Sequence, residues 1–271
     1  MPELPEVETT RLGLTPHLQG QRIRTAIVRN HRLRWPVPRK LPALVAGRRI
    51  EQLLRRSKYL LMDCGGGWLI FHLGMSGSLR VVPADTPPGD HDHVDLVLET
   101  GIALRLHDPR RFGAVLWEPG EPSRHKLLQG LAPEPLESAF TPKWLFDRTR
   151  GRKAPIKSLL MDNHLVCGVG NIYANESLFR AGIHPGRAAG RIGEPRYAKL
   201  VDAIRAILRA AIQAGGSSLR DFVHADGSPG YFQQQYMVYG RAGGRCTRCE
   251  KTIKTVRIGQ RSAFYCPGCQ R

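Results

Sequence analysis

The chain has 271 residues, with 41 Lys+Arg against 23 Asp+Glu, a formal net charge of +18 and a pI near 10.3. Hydrophobic residues make up 41%, enough for the cores of one to three folded domains, which excludes intrinsic disorder as the main state. No run approaches the roughly 18 apolar residues of a membrane span. The start, Met1-Pro2-Glu3-Leu4-Pro5-Glu6, lacks the basic and apolar regions of a secretory signal, so a cytoplasmic protein is expected. The charge is uneven: residues 1–135 carry 19 basic and 14 acidic side chains, and residues 136–271 carry 22 and 9. The plain reading is an Arg-rich solvated face. The sharper one is a phosphate-binding surface, since neutralised phosphates supply most non-specific nucleic-acid affinity.

In chain order, Pro5-Glu6-Val7-Glu8 has the proline and acids of a first helical turn, and Gly13 and Pro16 are expected to limit that helix. Short strands follow over 22–28, 50–54, 59–63, 68–73, 78–82, 94–99, 103–107 and 114–117. Gly65-Gly66-Gly67 and Thr100-Gly101 are expected as hairpin turns. Strands at this spacing predict an antiparallel sandwich or barrel. Around Gly130-Leu131-Ala132-Pro133 the period changes, and helices are predicted from Thr141-Pro142, over 154–162, over 172–181 and over 195–214. The last carries Leu200, Ala203, Ile204, Ile207, Leu208, Ala211 and Ile212 on one stripe. Residues 219–240, rich in Gly, Gln and Tyr, read as a loop.

Cys246, Cys249, Cys266 and Cys269 form two Cys-x-x-Cys pairs, each at an expected hairpin turn. That spacing suits one structural zinc ion with four thiolates and no open position; two disulfides are the alternative, disfavoured in a reducing compartment. The segment is too short for a core of its own, so the metal would supply its folding energy. Arg245, Arg248, Lys251, Lys254, Arg257 and Arg261 interleave with the ligands, as suits a DNA backbone; a hairpin for protein contacts is the other reading. Cys64 and Cys167 read as small buried apolar side chains.

Removal of Met1, favoured by the small second residue, would expose the secondary amine of Pro2. An α-amino group titrates near 7.7 to 8.0, so much of it is a neutral nucleophile at cellular pH. Attack on an aldehyde-type carbon gives a cationic iminium, an electron sink for elimination. Glu3 or Glu6 could serve as the acid or base.

These segments, with Arg56-Ser57-Lys58-Tyr59-Leu60, His72-Leu73-Gly74-Met75-Ser76-Gly77, Asp108-Pro109-Arg110-Arg111-Phe112-Gly113, the run 157–163 and Gly168-Val169-Gly170-Asn171-Ile172-Tyr173, resemble bacterial formamidopyrimidine-DNA glycosylases, also called 8-oxoguanine-DNA glycosylase/AP lyases. The resemblance spans essentially the whole chain. It implies a multidomain α and β fold: an N-terminal helix plus antiparallel β-sandwich over 1–132, a linker and first helix over 133–152, a helix-two turns-helix domain with a lesion-covering loop over 153–240, and a zinc-finger hairpin over 241–271. It also implies removal of oxidised purines from duplex DNA and strand cleavage by β,δ-elimination, by a monomer without an obligate protein partner in the bacterial cytoplasm.

By the same resemblance Pro2 would attack the sugar C1′ and Glu3 would protonate the opening ring. Lys58 would act as proton donor in β-elimination, and Arg261 would hold phosphate and assist δ-elimination. The target base must leave the stack, at a cost of a few kcal/mol. Met75, Arg110 and Phe112 would fill the void, although without the resemblance Met75 and Phe112 read as core. Lys157 and Asn171 would grip phosphates with Arg261, and His91 and Arg152 would be further backbone contacts. The Gly168–Asn171 turn would offer N–H groups to a phosphate. Glu176 is either near the base pocket or a helix-surface acid. An endonuclease VIII-like enzyme for oxidised pyrimidines is the alternative.

Overall fold

The computed structural model describes residues 1–216 and 232–271. It divides into two compact units, Met1–Gln129 with Ala214–Tyr231, and Gly130–Gln213 with Phe232–Arg271. In the first unit, helix α1 spans Leu4–Leu18, followed by β1 (Ile23–Val28), a short helix α2 (Leu41–Val45), and β2 (Gln52–Arg56), β3 (Tyr59–Asp63), β4 (Trp68–His72), β5 (Ser78–Pro83), β6 (Asp92–Leu98), β7 (Ile102–His107) and β8 (Ala114–Glu118). They form two four-stranded antiparallel sheets, ordered β1-β6-β7-β5 and β2-β3-β4-β8. Apolar residues of both sheets share one core: Ile23, Leu79, Leu96 and Leu104 from the first, Leu53, Leu60, Met62, Leu69, Phe71 and Val115 from the second, with Val7, Leu14 and Leu18 of α1. This is the expected sandwich, and the expected glycine turns join β3 to β4 and β6 to β7.

The helix α1 runs farther than Gly13 and Pro16 suggest, because Leu14 and Leu18 are fully buried in the core and their burial outweighs the loss of one backbone bond at Pro16. The α2 turn lies outside the predicted elements; its signals are Pro42 in the first turn and the buried pair Leu41 and Val45 at i, i+4. Cys64 and Cys167 are buried, as their isolation in the sequence suggests.

Strand β6 is buried along its whole length despite Asp92, His93 and Asp95. Asp95, fully buried, accepts from Arg105 Nε and Nη2 at 3.0 and 2.9 Å and from Arg29 Nη2 at 2.7 Å. Arg105 stands opposite it on β7 and donates further to the carbonyls of Thr86 and Pro87, in the connection between β5 and β6. Burial pushes the Asp95 carboxyl up, but the two guanidinium groups outweigh it and hold it below the usual range.

In the second unit, helices α3 (Pro142–Thr149), α4 (Ile156–Leu160), α5 (Asn171–Arg180) and α6 (Glu194–Gln213) precede a two-stranded hairpin, β9 (Lys254–Ile258) and β10 (Arg261–Tyr265). Thr141 caps α3 by accepting the Trp144 N–H at 3.0 Å. The α6 stripe is buried as its period predicts, except that Ile212 is half-exposed. Of the loop expected over 219–240, residues 219–231 lie outside the described residues, and Phe232–Gln235 form a 3-10 turn.

Replacing Asp95 by Ala removes the bidentate partner of buried Arg105, leaving it Asp92 at 3.6 Å, and the carboxylate partner of Arg29. The expected loss of stability is about 3–5 kcal/mol, the cost of breaking a buried pair, read as a lower urea midpoint with an unchanged slope.

Candidate functional sites in each unit

In the first unit the chain end is fixed by the start of α1. Glu3 is the N-cap of a capping box, its N–H donating to Glu6 Oε2 at 2.8 Å while its carbonyl accepts from Val7 at 3.1 Å. Pro2, Glu3 and Glu6 are all buried. Glu6 is committed to the cap, and Gly216 (φ 79°) lies so close that a Cβ there would sit 3.4 Å from Glu6 Cγ and Oε1. Both acids considered for proton transfer take part in the box, the Glu3 side chain accepting the Glu6 N–H and the Glu6 side chain the Glu3 N–H.

Lys58 is 6% exposed and sits in the two-residue turn between β2 and β3, where Arg56 pairs with Tyr59. The turn needs a positive φ at its first central residue, and Ser57 supplies it at 56°. Arg55 joins this turn to α1: its Nη1 donates to the Ser57 carbonyl at 3.0 Å and its Nε to Glu8 Oε2 at 3.1 Å. Burial raises the Glu8 carboxyl, but hydrogen bonds and charge from Arg11 and Arg55 prevail and keep it low. The helix that presents Pro2 and Glu3 and the turn that presents Lys58 are therefore strapped together by an ion pair.

A second cluster holds Met75, Arg110 and Phe112. Phe112 is 42% exposed and Arg110 stacks over its ring, guanidinium carbon 4.9 Å from the centroid, while Met75 is half-buried. Arg111 between them takes φ 57°, an uncommon conformation for a residue with a long side chain. Underneath, fully buried Asp108 accepts from Ser76 Oγ at 2.9 Å and from Gly113 N–H at 2.7 Å, and Ser76 Oγ accepts the Arg110 N–H at 3.3 Å. His72 Nδ1 accepts the Gly74 N–H at 3.1 Å. Burial, then the charges of Lys58 and Arg34, push His72 down to about 4. His91 is exposed beside His93 and His107, ring centroids 6.5 and 5.9 Å away.

In the second unit Lys157 is almost fully buried and its Nζ donates to the Ser262 carbonyl at 2.7 Å, next to exposed Arg261 at the start of β10. Asn175, also buried, accepts the Phe264 N–H at 2.7 Å and donates to the Asn171 carbonyl at 2.6 Å. Two side chains thus fasten α4 and α5 to the hairpin carrying Arg261. Asn171 opens α5 behind Gly170 as N-cap, and Gly168 (φ 79°) gives its N–H to Asn163 Oδ1 at 3.2 Å. Arg152 is exposed beside Gly190, whose missing Cβ would lie 3.0 Å from the Arg152 backbone. Glu176 is buried, not a surface acid: it accepts the N–H groups of Met237, Val238 and Tyr239 at 2.9, 3.0 and 2.7 Å. Burial raises its carboxyl and those three bonds oppose the rise. The tasks of Asn175, Glu176, Arg55 and His72 escape sequence reading; only Glu176 and His72 carry a signal, each lying in or beside a segment that stands out in the chain.

The sulfurs of Cys246, Cys249, Cys266 and Cys269 lie within 4.8 Å of one another, with contacts of 3.8 Å (Cys246–Cys269), 3.3 Å (Cys249–Cys266) and 3.5 Å (Cys249–Cys269). A tetrahedron with Zn–S bonds of about 2.3 Å has edges of about 3.8 Å, so the donor set fits one structural zinc ion.

A capped N-terminal helix on a β-sandwich, together with helices fastened to a four-cysteine hairpin, defines a zinc-finger class of two-unit protein. Family models agree along the chain: formamidopyrimidine-DNA glycosylase N-terminal domain over residues 1–115, its H2TH domain over 131–223, and the zinc finger found in FPG and IleRS over 243–271. The chain is 57% identical to formamidopyrimidine-DNA glycosylase of Stenotrophomonas maltophilia K279a, covering 100% of both. The MutM (FPG) protein of Thermus thermophilus superposes with TM-score 0.90 at 40% identity, over 99% of this chain and 98% of that one. A Lactococcus lactis FPG variant, solved with Fapy-dG-containing DNA, gives TM-score 0.93 at 34% identity over 100% of both chains. The chain belongs to the formamidopyrimidine-DNA glycosylase family.

Cys249→Ala should abolish binding of one zinc per chain and strip hydrogen-exchange protection from 243–271 while leaving that of residues 1–130 intact. His72 titrates lower folded than unfolded, so the unfolded state gains the extra proton. Stability should be full above pH 6.5 and fall by up to about 3 kcal/mol toward pH 4, a loss that His72→Gln removes in acid unfolding curves.

Proposed function

We propose that the chain is a bifunctional base excision repair enzyme, a glycosylase and AP lyase that removes oxidised purines from duplex DNA and cleaves the strand at the resulting site. The observation that carries this reading is the fixed N-terminus: Pro2 and Glu3 buried at a capped helix start, strapped through Glu8 and Arg55 to the Lys58 turn. Relatives solved with Fapy-dG DNA and with abasic-site DNA support the substrate class.

With Met1 removed, the Pro2 nitrogen lone pair attacks C1′ and the C1′–N bond to the damaged base breaks, the base leaving with a proton. Glu3 protonates the ring oxygen as the sugar opens, and the nitrogen lone pair forms the C=N⁺ bond of the iminium. Loss of a C2′ proton feeds electrons toward that cation and expels the 3′ phosphate; a second elimination expels the 5′ phosphate. Lys58 serves as proton donor in the first elimination. Arg261 holds the phosphate for the second. Glu6 accepts the Glu3 N–H and so orients the residue proposed to serve the sugar. Met75, Arg110 and Phe112 fill the space the base vacates, an apolar wedge backed by a planar donor. His91, Arg152, Lys157 and Asn171 grip the backbone, Lys157 in part by setting the hairpin beside Arg261. Zinc held by Cys246, Cys249, Cys266 and Cys269 supplies the folding energy of that hairpin. The enzyme acts on DNA as a monomer in the cytoplasm; no described helix is long and apolar enough to cross a membrane.

Borohydride in the presence of an abasic duplex should trap a covalent adduct with protein starting at Pro2. Protein that retains Met1 carries a tertiary amide there and should bind the duplex without being trapped; equal trapping overturns Pro2 as nucleophile. On paired duplexes, excision of 8-oxoguanine opposite C should exceed that of 5-hydroxyuracil, and the reverse order would assign the enzyme to oxidised pyrimidines.

A further inference from the structure

Three imidazoles meet where β6 begins and β7 ends, and the backbone there leaves two of them for a ligand. His91 precedes β6, and its carbonyl accepts the Asp108 N–H at 2.9 Å. Asp92, the first residue of β6, stands opposite His107, the last of β7. His93 is buried and its Nε2 donates to the Asp108 carbonyl at 2.9 Å, so that ring is spent on the fold. His91 is exposed and His107 keeps 25% of its side chain in solvent, their ring centroids 5.9 Å apart in an edge-to-face arrangement. Directly beyond them, a turn closed by the Arg111 N–H on the Asp108 carbonyl at 3.1 Å carries Arg110 and leads into Phe112.

We propose that His107 and His91 together form a two-imidazole seat for one phosphodiester of the DNA backbone, with His107 held in place by Asp92 and binding the phosphate as an imidazolium. The inference rests on the backbone contact given above to His91 and adds a second donor that the sequence does not single out. His107 Nδ1 lies 2.8 Å from Asp92 Oδ1. Asp92 also accepts the Gly89 N–H on Oδ2 at 2.8 Å and has Arg105 Nη1 at 3.6 Å. Burial raises the Asp92 carboxyl, but the Gly89 bond, His107 and Arg105 outweigh it and keep it below the usual range. An ionised carboxylate only accepts, so Nδ1 carries a proton and Nε2 is the nitrogen left over. A carboxylate bound to one ring nitrogen fixes both the tautomer and the direction in which the other points. A neutral ring of this tautomer presents Nε2 as an acceptor, which a phosphate oxygen cannot use, whereas the protonated ring presents an N–H there. An imidazolium between a carboxylate and a phosphate is matched on both sides, so a phosphate arriving at Nε2 brings a proton with it. The titratable and charged groups that face the ring are Asp92 of β6, Arg105 of β7 through Asp92, and His91 ahead of β6.

The test is binding of the zinc-loaded full chain to a duplex with a reduced abasic site, which cannot form the iminium, at about pH 6 and about pH 8, either side of the range where histidine changes charge. The unaltered protein should bind more tightly at the lower pH. His107→Gln, whose amide can still donate to Asp92, should lose about tenfold there and less than about threefold at the higher pH, as expected for one charge-assisted bond. Its slope of log affinity against log salt at the lower pH should be shallower by about 0.9, the share of one phosphate. His91→Gln should weaken binding in the same way, and the double variant should lose little more than either, because the two rings hold one phosphate. Nitrogen NMR of the unaltered protein serves if a variant fails to fold: adding the duplex at about pH 7 should move the His107 ring nitrogens to imidazolium shifts. Equal loss for His107→Gln at both pH values, no loss at either, or ring nitrogens that do not respond to DNA overturns the inference in favour of a purely structural pair with Asp92. If His91→Gln leaves binding unchanged at both pH values, the backbone contact assigned to His91 fails instead.

Discussion

Pro2, proposed above as the reactive group, stands near a chain end with covalent support on one side only, and placing it is the constraint on which the rest of this structure depends. The solution begins with a helix. Glu3 as N-cap is tied to Glu6, so the two residues ahead of α1 inherit the orientation of a rigid element. That helix is then packed through Val7, Leu14 and Leu18 into the sandwich core. The ion pair from Glu8 to Arg55, and the bond from Arg55 to the Ser57 carbonyl, carry the same frame to Lys58. Each link is partly or fully buried, where a charge-assisted hydrogen bond is stronger than at the surface. The first unit's core, reached through one helix, thus sets the position of Pro2, the nucleophile proposed above.

The sequence is most legible where one local rule decides the outcome. Alternation and glycine placement locate the strands and both hairpins, and the spacing of four cysteines defines the metal cluster. It is least legible where a polar side chain satisfies a distant backbone group. Glu176 sits in a helix three residues from Tyr173 and looks like any surface acid; its three N–H partners lie 61 to 63 residues on. Lys157 reads as a phosphate ligand, but its ammonium also reaches the carbonyl of Ser262, a contact 105 residues away that no periodicity encodes. The length of α1 escapes local reading for a related reason, since propensity at Gly13 and Pro16 is local and burial of Leu14 and Leu18 is not.

The charge of +18 divides the same way. Several arginines donate to backbone carbonyls at helix and loop ends. Arg150 donates to Phe146, Gly190 and Ile192, Arg205 to Pro135, Glu137 and Phe140, and Arg196 to Gly182 and Arg271. A guanidinium bound to neutral carbonyls keeps its full charge, so these residues build the second unit and still contribute to the field that draws phosphate. Replacing them to weaken DNA binding would damage the fold, whereas Arg152 and Arg261 are exposed and can be changed without that loss.

Buried carboxylates show the complementary pattern. Asp95 is matched by two guanidinium groups, Asp108 by a hydroxyl and an amide, Glu176 by three amides, and Glu6 by an amide at the cap of α1. In each the carboxyl oxygens accept hydrogen bonds from neighbouring groups. Glu3 and Glu6 belong to one capping box, but their places in it differ. Glu6 reaches back across the first turn to the Glu3 N–H, so taking its carboxylate away would loosen the turn itself. Glu3, one residue from Pro2, accepts the Glu6 N–H in return, so both acids hold the same turn. Breaking either half of the box would loosen the first turn of α1, and with it the frame that orients Pro2.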